Sequence, residues 1–239
     1  MKLAFFGAGA MGRAVQDRAR AEGHTVGTVF RSADAGLDAD ALAGRLTGHD
    51  AAVDFSTASG VPTHVAACLR AAVPLVVGTT GWQDTEAVVR RQVEMAAGAL
   101  LFGANFSLAV NLFFRLVDRA GELFGAKAGF DAFIEESHHR HKRDAPSGTA
   151  LALARTLRVH LGRDVAVAST RAGDIPGIHR VGFDGGADQI VLTHTARSRD
   201  GFAAGALLGA RWLVGRTGVY AFAEVLDDLL RLDRKERPV

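Results

Sequence analysis

The chain is short of the features that would place it outside an ordinary reducing compartment. It has a single cysteine, Cys68, so no intrachain disulfide can form. That residue falls in a helix-like run, HVAACLRAA, with no thiolate-stabilising cluster beside it, which marks it as a small buried hydrophobe. Long apolar runs are also missing. The longest apolar region, residues 99 to 114, is broken by Asn105, Ser107 and Asn111, which excludes a transmembrane helix. Lys2 before LAFF imitates a signal peptide, but the apolar stretch stops there and glycine then recurs at a meaningful spacing. A cytoplasmic protein without a membrane partner is expected.

Charge of one sign is lacking as well. The chain has 28 Lys and Arg against 26 Asp and Glu, a net charge of +2. Its cations are scattered apart from Arg140, Lys142 and Arg143, so nucleic acid is not an expected partner. No internal repeat or low-complexity segment occurs. What is present is an ordinary globular composition: 239 residues, 48% hydrophobic, with a mean hydropathy of +0.12. Such a chain buries a substantial core in one large or two small domains.

Strand-like KLAFF leads into GAGAMG and then into the helical pattern RAVQDRARAEG. Gly7, Gly9 and Gly12 therefore match G-x-G-x-x-G between a strand and a helix, the context in which such a loop holds a dinucleotide. The loop Gly7-Ala8-Gly9-Ala10-Met11-Gly12 permits a tight turn, close approach to a pyrophosphate and free N–H groups at the helix start. The second strand candidate, HTVGTVF, ends at Phe30-Arg31-Ser32. NAD-binding units usually carry an acid here for the adenosine ribose. Arg31 can grip a 2′-phosphate and Ser32 can add a hydrogen bond, so NADPH is the expected cofactor, with NADH still accepted.

Further strand candidates are DAAVDFS, VPLVVGTTG and ALLFGANFS, separated by helical runs such as VPTHVAACLRAA. That alternation implies α/β architecture with a doubly wound parallel sheet, whose ligands gather at the C-terminal ends of the strands. Asp54-Phe55-Ser56, Gly78-Thr79-Thr80-Gly81 and Asn105-Phe106-Ser107 would line that edge. After Ser107 the rhythm changes. A long amphipathic helix, LAVNLFFRLVDRAGELFG, is followed by the strand DAFIEES, the helix PSGTALALARTLRVHL, and the segments VAVAST, HRVGFD and QIVLTHTA, which suit an antiparallel sheet with one face covered. FAAGALLGARWLVG and VYAFAEVLDDLLRL read as closing helices. The expected organisation is a Rossmann-type dinucleotide domain of residues 1–107 and 200–239, interrupted by an α+β domain of residues 108–199 with a mixed, largely antiparallel sheet.

The stretch EESHHRHKRDAPSGTAL sets His138, His139 and His141 among Arg140, Lys142 and Arg143. A metal centre is a poor fit, because the cations would repel a divalent ion and no acid or thiol is interleaved. A solvated charge run would seldom use three histidines. The remaining reading is an anionic-substrate site with proton-transfer capacity: histidine titrates near neutrality, and Lys142 offers a point charge to a carboxylate. Pro146-Ser147-Gly148-Thr149 then opens a helix whose free N–H groups suit an anion.

HHRHKRDAPSGTAL, together with VDFST, GTTGW, NFSLAVN, GDIPGIHRVGF and HTARSRDGFAAGA, resembles the dihydrodipicolinate reductase family of lysine and diaminopimelate biosynthesis. The matches run nearly the whole chain in the family's order. The resemblance implies an NAD(P)H-dependent reductase of a small cyclic dicarboxylate, assembled as a homotetramer through the second domain's sheet. It puts His138 at the proton-donor position and Lys142 at the second catalytic position. It makes His139, Gly148 and Thr149 substrate-holding residues, and Gly78, Thr79, Thr80, Gly103, Ala104, Asn105 and Phe106 cofactor-contacting ones; Ser147, at the same helix start, is a further candidate anchor for a carboxylate. This chain departs from the pattern in a glycine loop one residue shorter than the frequent form, in Trp82 where Phe is common, and in Ile178 where Glu is common. Two other readings share the glycine loop: a different two-domain dehydrogenase of amino-acid metabolism, and a non-enzymatic NAD(P)H sensor. Neither needs His138 or Lys142.

Overall fold

Residues 1–125 and 129–236 are described by the computed structural model. The chain opens with β1 (Lys2–Phe6), α1 (Ala10–Ala21), β2 (Thr25–Phe30), α2 (Ala39–Leu46), β3 (Ala51–Asp54), α3 (Val61–Arg70), β4 (Leu75–Val77), α4 (Gln83–Met95) and β5 (Ala99–Phe102). It continues through α5 (Leu108–Phe124), β6 (Asp131–His138), α6 (Gly148–Leu161), β7 (Ala166–Arg171), β8 (Gly177–Asp184) and β9 (Gln189–Ala196). It closes with α7 (Asp200–Leu213), β10 (Gly218–Ala221) and α8 (Leu226–Glu236). Two compact units result, Met1–Leu108 with Arg199–Val239, and Ala109–Ser198. Among the described residues no helix is long and apolar enough to cross a membrane.

In the first unit six strands pair in parallel in the order β10-β5-β4-β3-β1-β2. Side chains alternate across a strand, and here both faces are covered. Leu3, Phe5, Val53, Val76 and Leu101 enter one core with Val15 of α1 and Leu207 and Trp212 of α7. Their neighbours Ala4, Phe6, Ala52, Leu75, Val77 and Leu100 enter a second with Leu42 of α2, Val65 of α3 and Val89 of α4. Each fully buried Leu or Phe contributes roughly 1.5–3 kcal/mol, which explains why these strands read as unbroken apolar runs. Cys68 is 2% exposed in the second core, and burial pushes its thiol well above the usual range, leaving it inert.

The segment from Val219 corrects the helical expectation. Gly218–Ala221 is the strand β10, paired with Ala99 to Phe102, and the helix begins only at Leu226. Val219 joins one core and Tyr220 the other, the period-2 alternation of a strand. Its short length hides that period beside the helix that follows.

In the second unit four strands lie in the order β7-β6-β8-β9. The pairs of β8 with β6 and with β9 are antiparallel, while β7 runs parallel to β6. VAVAST is thus no part of an antiparallel meander. A parallel neighbour needs a crossover, and α6 is that crossover. Phe113 and Val117 of α5 and Leu153, Leu157 and Leu161 of α6 cover one face of the sheet through Ala132, Ile134, Val181 and Phe183.

Candidate active site

Ligands of an open parallel sheet bind beyond the strand ends where the order reverses. In the first unit that point is β1, flanked by β2 and β3. A cleft of about 640 Å³ opens there, lined by Gly7, Ala8 and Gly9 after β1, Phe30, Arg31 and Ser32 after β2, and Phe55 and Ser56 after β3. Gly7 has φ +99, and a Cβ on it would lie 2.2 Å from the Phe55 carbonyl oxygen. Gly12 lies against the Gly7 carbonyl, 2.3 Å from where its own Cβ would be. The first glycine therefore makes the turn and the third lets α1 approach it. Ala10, Met11 and Gly12 belong to the first turn of α1 and are not among the cleft's lining residues.

Asp54, Ser56 and Thr79, expected along the ligand edge, form with His64 a hydrogen-bonded knot at this cleft. Asp54 is fully buried; its Oδ1 accepts from Ser56 Oγ at 2.6 Å and Thr79 Oγ1 at 2.8 Å, and its Oδ2 meets His64 Nδ1 at 2.8 Å. The His64 ring stacks on Phe6, which stacks on Phe30. Thr79 thus spends its hydroxyl internally. Gly78 lies over the Phe55 ring. Phe106 is 1% exposed, packed against Phe55 and Phe222, so its ring is core. The Asn105 side chain accepts from Ser107 N–H at 2.9 Å and shapes the loop after β5. Trp82, in place of phenylalanine, donates its indole N–H to the Thr79 carbonyl at 2.9 Å.

The second cluster is built at the C-terminal end of β6, β7 and the start of α6. Period 2 puts Ala132, Ile134, Glu136 and His138 on the covered face of β6. Strand register then sets Glu136 opposite His179 and His138 opposite Arg171. Arg171 forks onto Glu136, Nη2 to Oε1 at 2.7 Å and Nη1 to Oε2 at 3.0 Å. His138 Nδ1 meets Glu136 Oε2, and Ser147 N–H donates to Oε1 at 3.3 Å. Ser147 Oγ accepts from Ala150 N–H, capping α6, and bonds His179 Nε2 at 3.0 Å. Lys142 Nζ pairs with Asp144 at 2.8 Å, and Gly148 N–H points to the same carboxylate. His139 and His141 are exposed, and Thr149 is half-buried.

Glu136, His138 and His179 are close enough together to suit a cation. Glu136 and His138 are instead bonded to each other and His179 Nε2 to Ser147 Oγ, and Arg171 already supplies the positive charge, so the arrangement suits a hydrogen-bonded proton network. Burial opposes ionisation of Glu136, yet Arg171, Ser169 and His138 outweigh it and hold the carboxyl at about 2. Burial, aided by the charge of His138, lowers His179 to about 4. Burial also lowers His138, against the pull of Glu136 and with Lys142 and Arg171 pushing the same way. The Lys142 hydrogen bond lowers Asp144. Stability should therefore fall with acid in two windows. His179 stays neutral when folded but takes a proton near 6.5 when unfolded, so its contribution, full above 6.5, is lost as pH falls toward 4. That of Glu136, full above 4.5, is lost between 4.5 and 2. Denaturant midpoints from pH 8 to 3 should show both declines, and His179→Asn should flatten the upper one; an unchanged slope would remove His179 as its source.

Glu136, Arg171 and His179 were not singled out from the sequence. A carboxylate two residues before the histidine, on the covered face of DAFIEESH, was the available sign; Arg171 and His179 required the strand register.

Comparison with known proteins bears on both units. Residues 1–106 match the family model described as dihydrodipicolinate reductase, N-terminus, and residues 109–226 the one described as dihydrodipicolinate reductase, C-terminus. A 4-hydroxy-tetrahydrodipicolinate reductase of Christiangramia forsetii is 33% identical, covering 97% of this chain and 100% of that protein. One of Neisseria meningitidis is 34% identical over 95% and 97%. Among solved structures, dipicolinate-bound dihydrodipicolinate reductase from Paenisporosarcina sp. TG-14 shares the fold, with a TM-score of 0.79 at 20% identity over 94% of this chain and 99% of that one.

Proposed function

The chain belongs to the dihydrodipicolinate reductase family, and from that premise we propose how its residues divide the work of the reaction. It is a nicotinamide-dinucleotide-dependent oxidoreductase that reduces a 4-hydroxy-tetrahydrodipicolinate-type cyclic dicarboxylate to tetrahydrodipicolinate in lysine and diaminopimelate biosynthesis. The 4-hydroxyl departs as water, the cofactor supplies a hydride, and one proton balances the reduction.

His138 is the proton donor and Lys142 the cation that stabilises negative charge developing on the substrate ring. Such groups act most strongly in the transition state, when the charge appears. The observation that carries this assignment is that one short segment, 138–149, brings a half-buried histidine, a lysine ammonium and the N-terminus of a fourteen-residue helix together. The substrate carboxylates fall to His139 and to the start of α6 at Ser147, Gly148 and Thr149, where the Ser147 hydroxyl caps the helix and the Gly148 N–H, directed at Asp144 in the free protein, turns to the substrate. In the free protein burial keeps His138 below the usual histidine range. A bound dicarboxylate would raise it again by adding negative charge nearby, so the donor gains its proton when there is substrate to receive it.

The cofactor lies along the cleft from Gly7-Ala8-Gly9 to Arg31-Ser32, with the loops at Gly78-Thr79-Thr80 and Gly103-Ala104-Asn105-Phe106 reserved for its nicotinamide end. NADPH is preferred and NADH accepted. In an assay that generates the unstable substrate in place, NADPH absorbance should fall only when substrate is supplied. Consumption without it, or none with it, would remove the reading. The setting is the cytoplasm.

The second unit's sheet supports a homotetramer. Its uncovered face carries Phe133, Gly182 and Val191 in register, with Val191 43% exposed. A strand surface of this kind is an aggregation hazard unless a partner covers it. Light scattering should report about four chains; a stable monomer at micromolar concentration would contradict the assembly.

A further inference from the structure

A histidine that donates a proton from one ring nitrogen needs the other held in a fixed protonation state. We infer that Glu136, clamped by Arg171, is the positioning residue that keeps His138 protonated at Nδ1 and so makes Nε2 its working nitrogen. The inference rests on reading His138 as the proton donor, and it adds two residues to that role.

Glu136 is fully buried and accepts from every side: two guanidinium N–H groups of Arg171, the Ser147 N–H, Ser169 and His138. A carboxylate so surrounded stays ionised, and an ionised carboxylate only accepts. The ring nitrogen facing it must therefore carry the proton, which leaves Nε2 to take and give one. The surroundings of Nε2 agree. Gly177 on β8 lies beside it, and a Cβ there would stand 3.0 Å from Nε2, so the glycine preserves room at that edge. His179 meets the His138 ring edge-on at 5.1 Å between centroids and turns its own Nε2 to Ser147, so it does not compete for the same proton. Arg171 does more than neutralise charge. Nη2 also donates to the Asp144 carbonyl, tying the loop that carries Lys142 to the carboxylate that orients His138.

Glu136→Gln keeps the shape and reverses the chemistry. Arg171 Nη2 and Ser147 N–H both donate to the Oε1 position against Arg171 Nη1 alone at Oε2, so the amide oxygen settles at Oε1 and the NH₂ turns to His138. The histidine then has to present a lone pair at Nδ1 and carry its neutral-state proton on Nε2. The test is ¹⁵N NMR of the full-length protein labelled at histidine, with the His138 resonances identified by their loss in His138→Asn. In the wild type His138 should appear as the Nδ1–H tautomer; finding Nε2–H would overturn the proposal, and this measurement needs no variant of Glu136 to fold. In Glu136→Gln the tautomer should switch and kcat should fall about a hundredfold or more, in line with the loss of an orienting carboxylate behind a catalytic histidine. The NADPH dissociation constant should stay unchanged. Turnover near the wild-type rate in Glu136→Gln would also overturn it. Failure of the reaction reading would look different: the wild type itself would consume no NADPH, while the tautomer measurement would still decide the role of Glu136.

Discussion

His138→Ala and Lys142→Ala should each lower kcat by at least about a hundredfold while leaving NADPH affinity within about twofold. Positioned proton transfer contributes about 10²- to 10⁴-fold, and one preorganised charge-stabilising group contributes about as much. A hundredfold loss corresponds to about 2.7 kcal/mol of transition-state stabilisation. The two variants should differ in detail. Removing Lys142 frees Asp144, whose carboxylate otherwise pairs with the ammonium at 2.8 Å and receives the Gly148 N–H. An unpaired carboxylate at the start of α6 would then repel an anionic substrate, so Lys142→Ala should raise the substrate KM as well. Removing His138 leaves that pairing intact and should act on kcat alone. Dinucleotide affinity is spared in both, because the cleft is lined by Gly7 to Gly9, Arg31, Ser32 and their neighbours. Single-turnover NADPH oxidation with titrated substrate separates the two effects. Near-normal turnover in either variant would remove the role given to that residue.

Arg31→Ala should cost ten- to a hundredfold in kcat/KM for NADPH and leave NADH nearly untouched. A charge-assisted hydrogen bond contributes about 1.5–3 kcal/mol, and only the 2′-phosphate of NADPH offers an anion for it. Arg31 lines the cleft beside Ser32. The same wall contains a carboxylate, Asp34, which the sequence pattern placed too far past β2 to notice. It poses little obstacle to a phosphate because it is already engaged. Its Oδ2 accepts the Arg31 N–H at 2.8 Å and its Oδ1 pairs with Arg45 at 2.6 Å. The Arg31 backbone bond and Arg45 hold it below the usual carboxylate range. Arg45 in turn lies over the Phe30 ring at 4.7 Å. The wall is thus close to charge-balanced before Arg31's side chain is counted, and that side chain is left to discriminate. Steady-state kinetics with both cofactors in wild type and variant decide the matter. A wild type that prefers NADH, or a variant that loses both cofactors equally, would show that Arg31 is not the discriminator.

The sequence by itself determined the parallel sheet, the glycine turn and the makeup of the segment to which the chemistry is assigned, because each is a local pattern. Apolar runs bounded by small residues mark strands buried on both faces. Glycine spacing marks a turn with φ +99 at Gly7. HHRHKRDAPSGTAL keeps histidine, lysine and a helix start within twelve residues of chain, so no tertiary information is needed to see them together. Three things lay beyond local pattern. The four residues of β10 take their conformation from pairing with β5, and beside a longer helix their own periodicity is too short to register. The direction of β7 follows from α6 acting as a crossover, which segment alternation does not encode. The surroundings of His138 come from three strands whose relevant residues are up to 43 positions apart in sequence, Glu136 and His179 with Arg171. Register alone brings them together. A buried carboxylate, its arginine clamp and a neutral histidine are each unremarkable in sequence. They become one hydrogen-bonded cluster because pairing between strands fixes which side chains share a face, and because burial in that face makes every unpaired charge too costly to leave unpartnered.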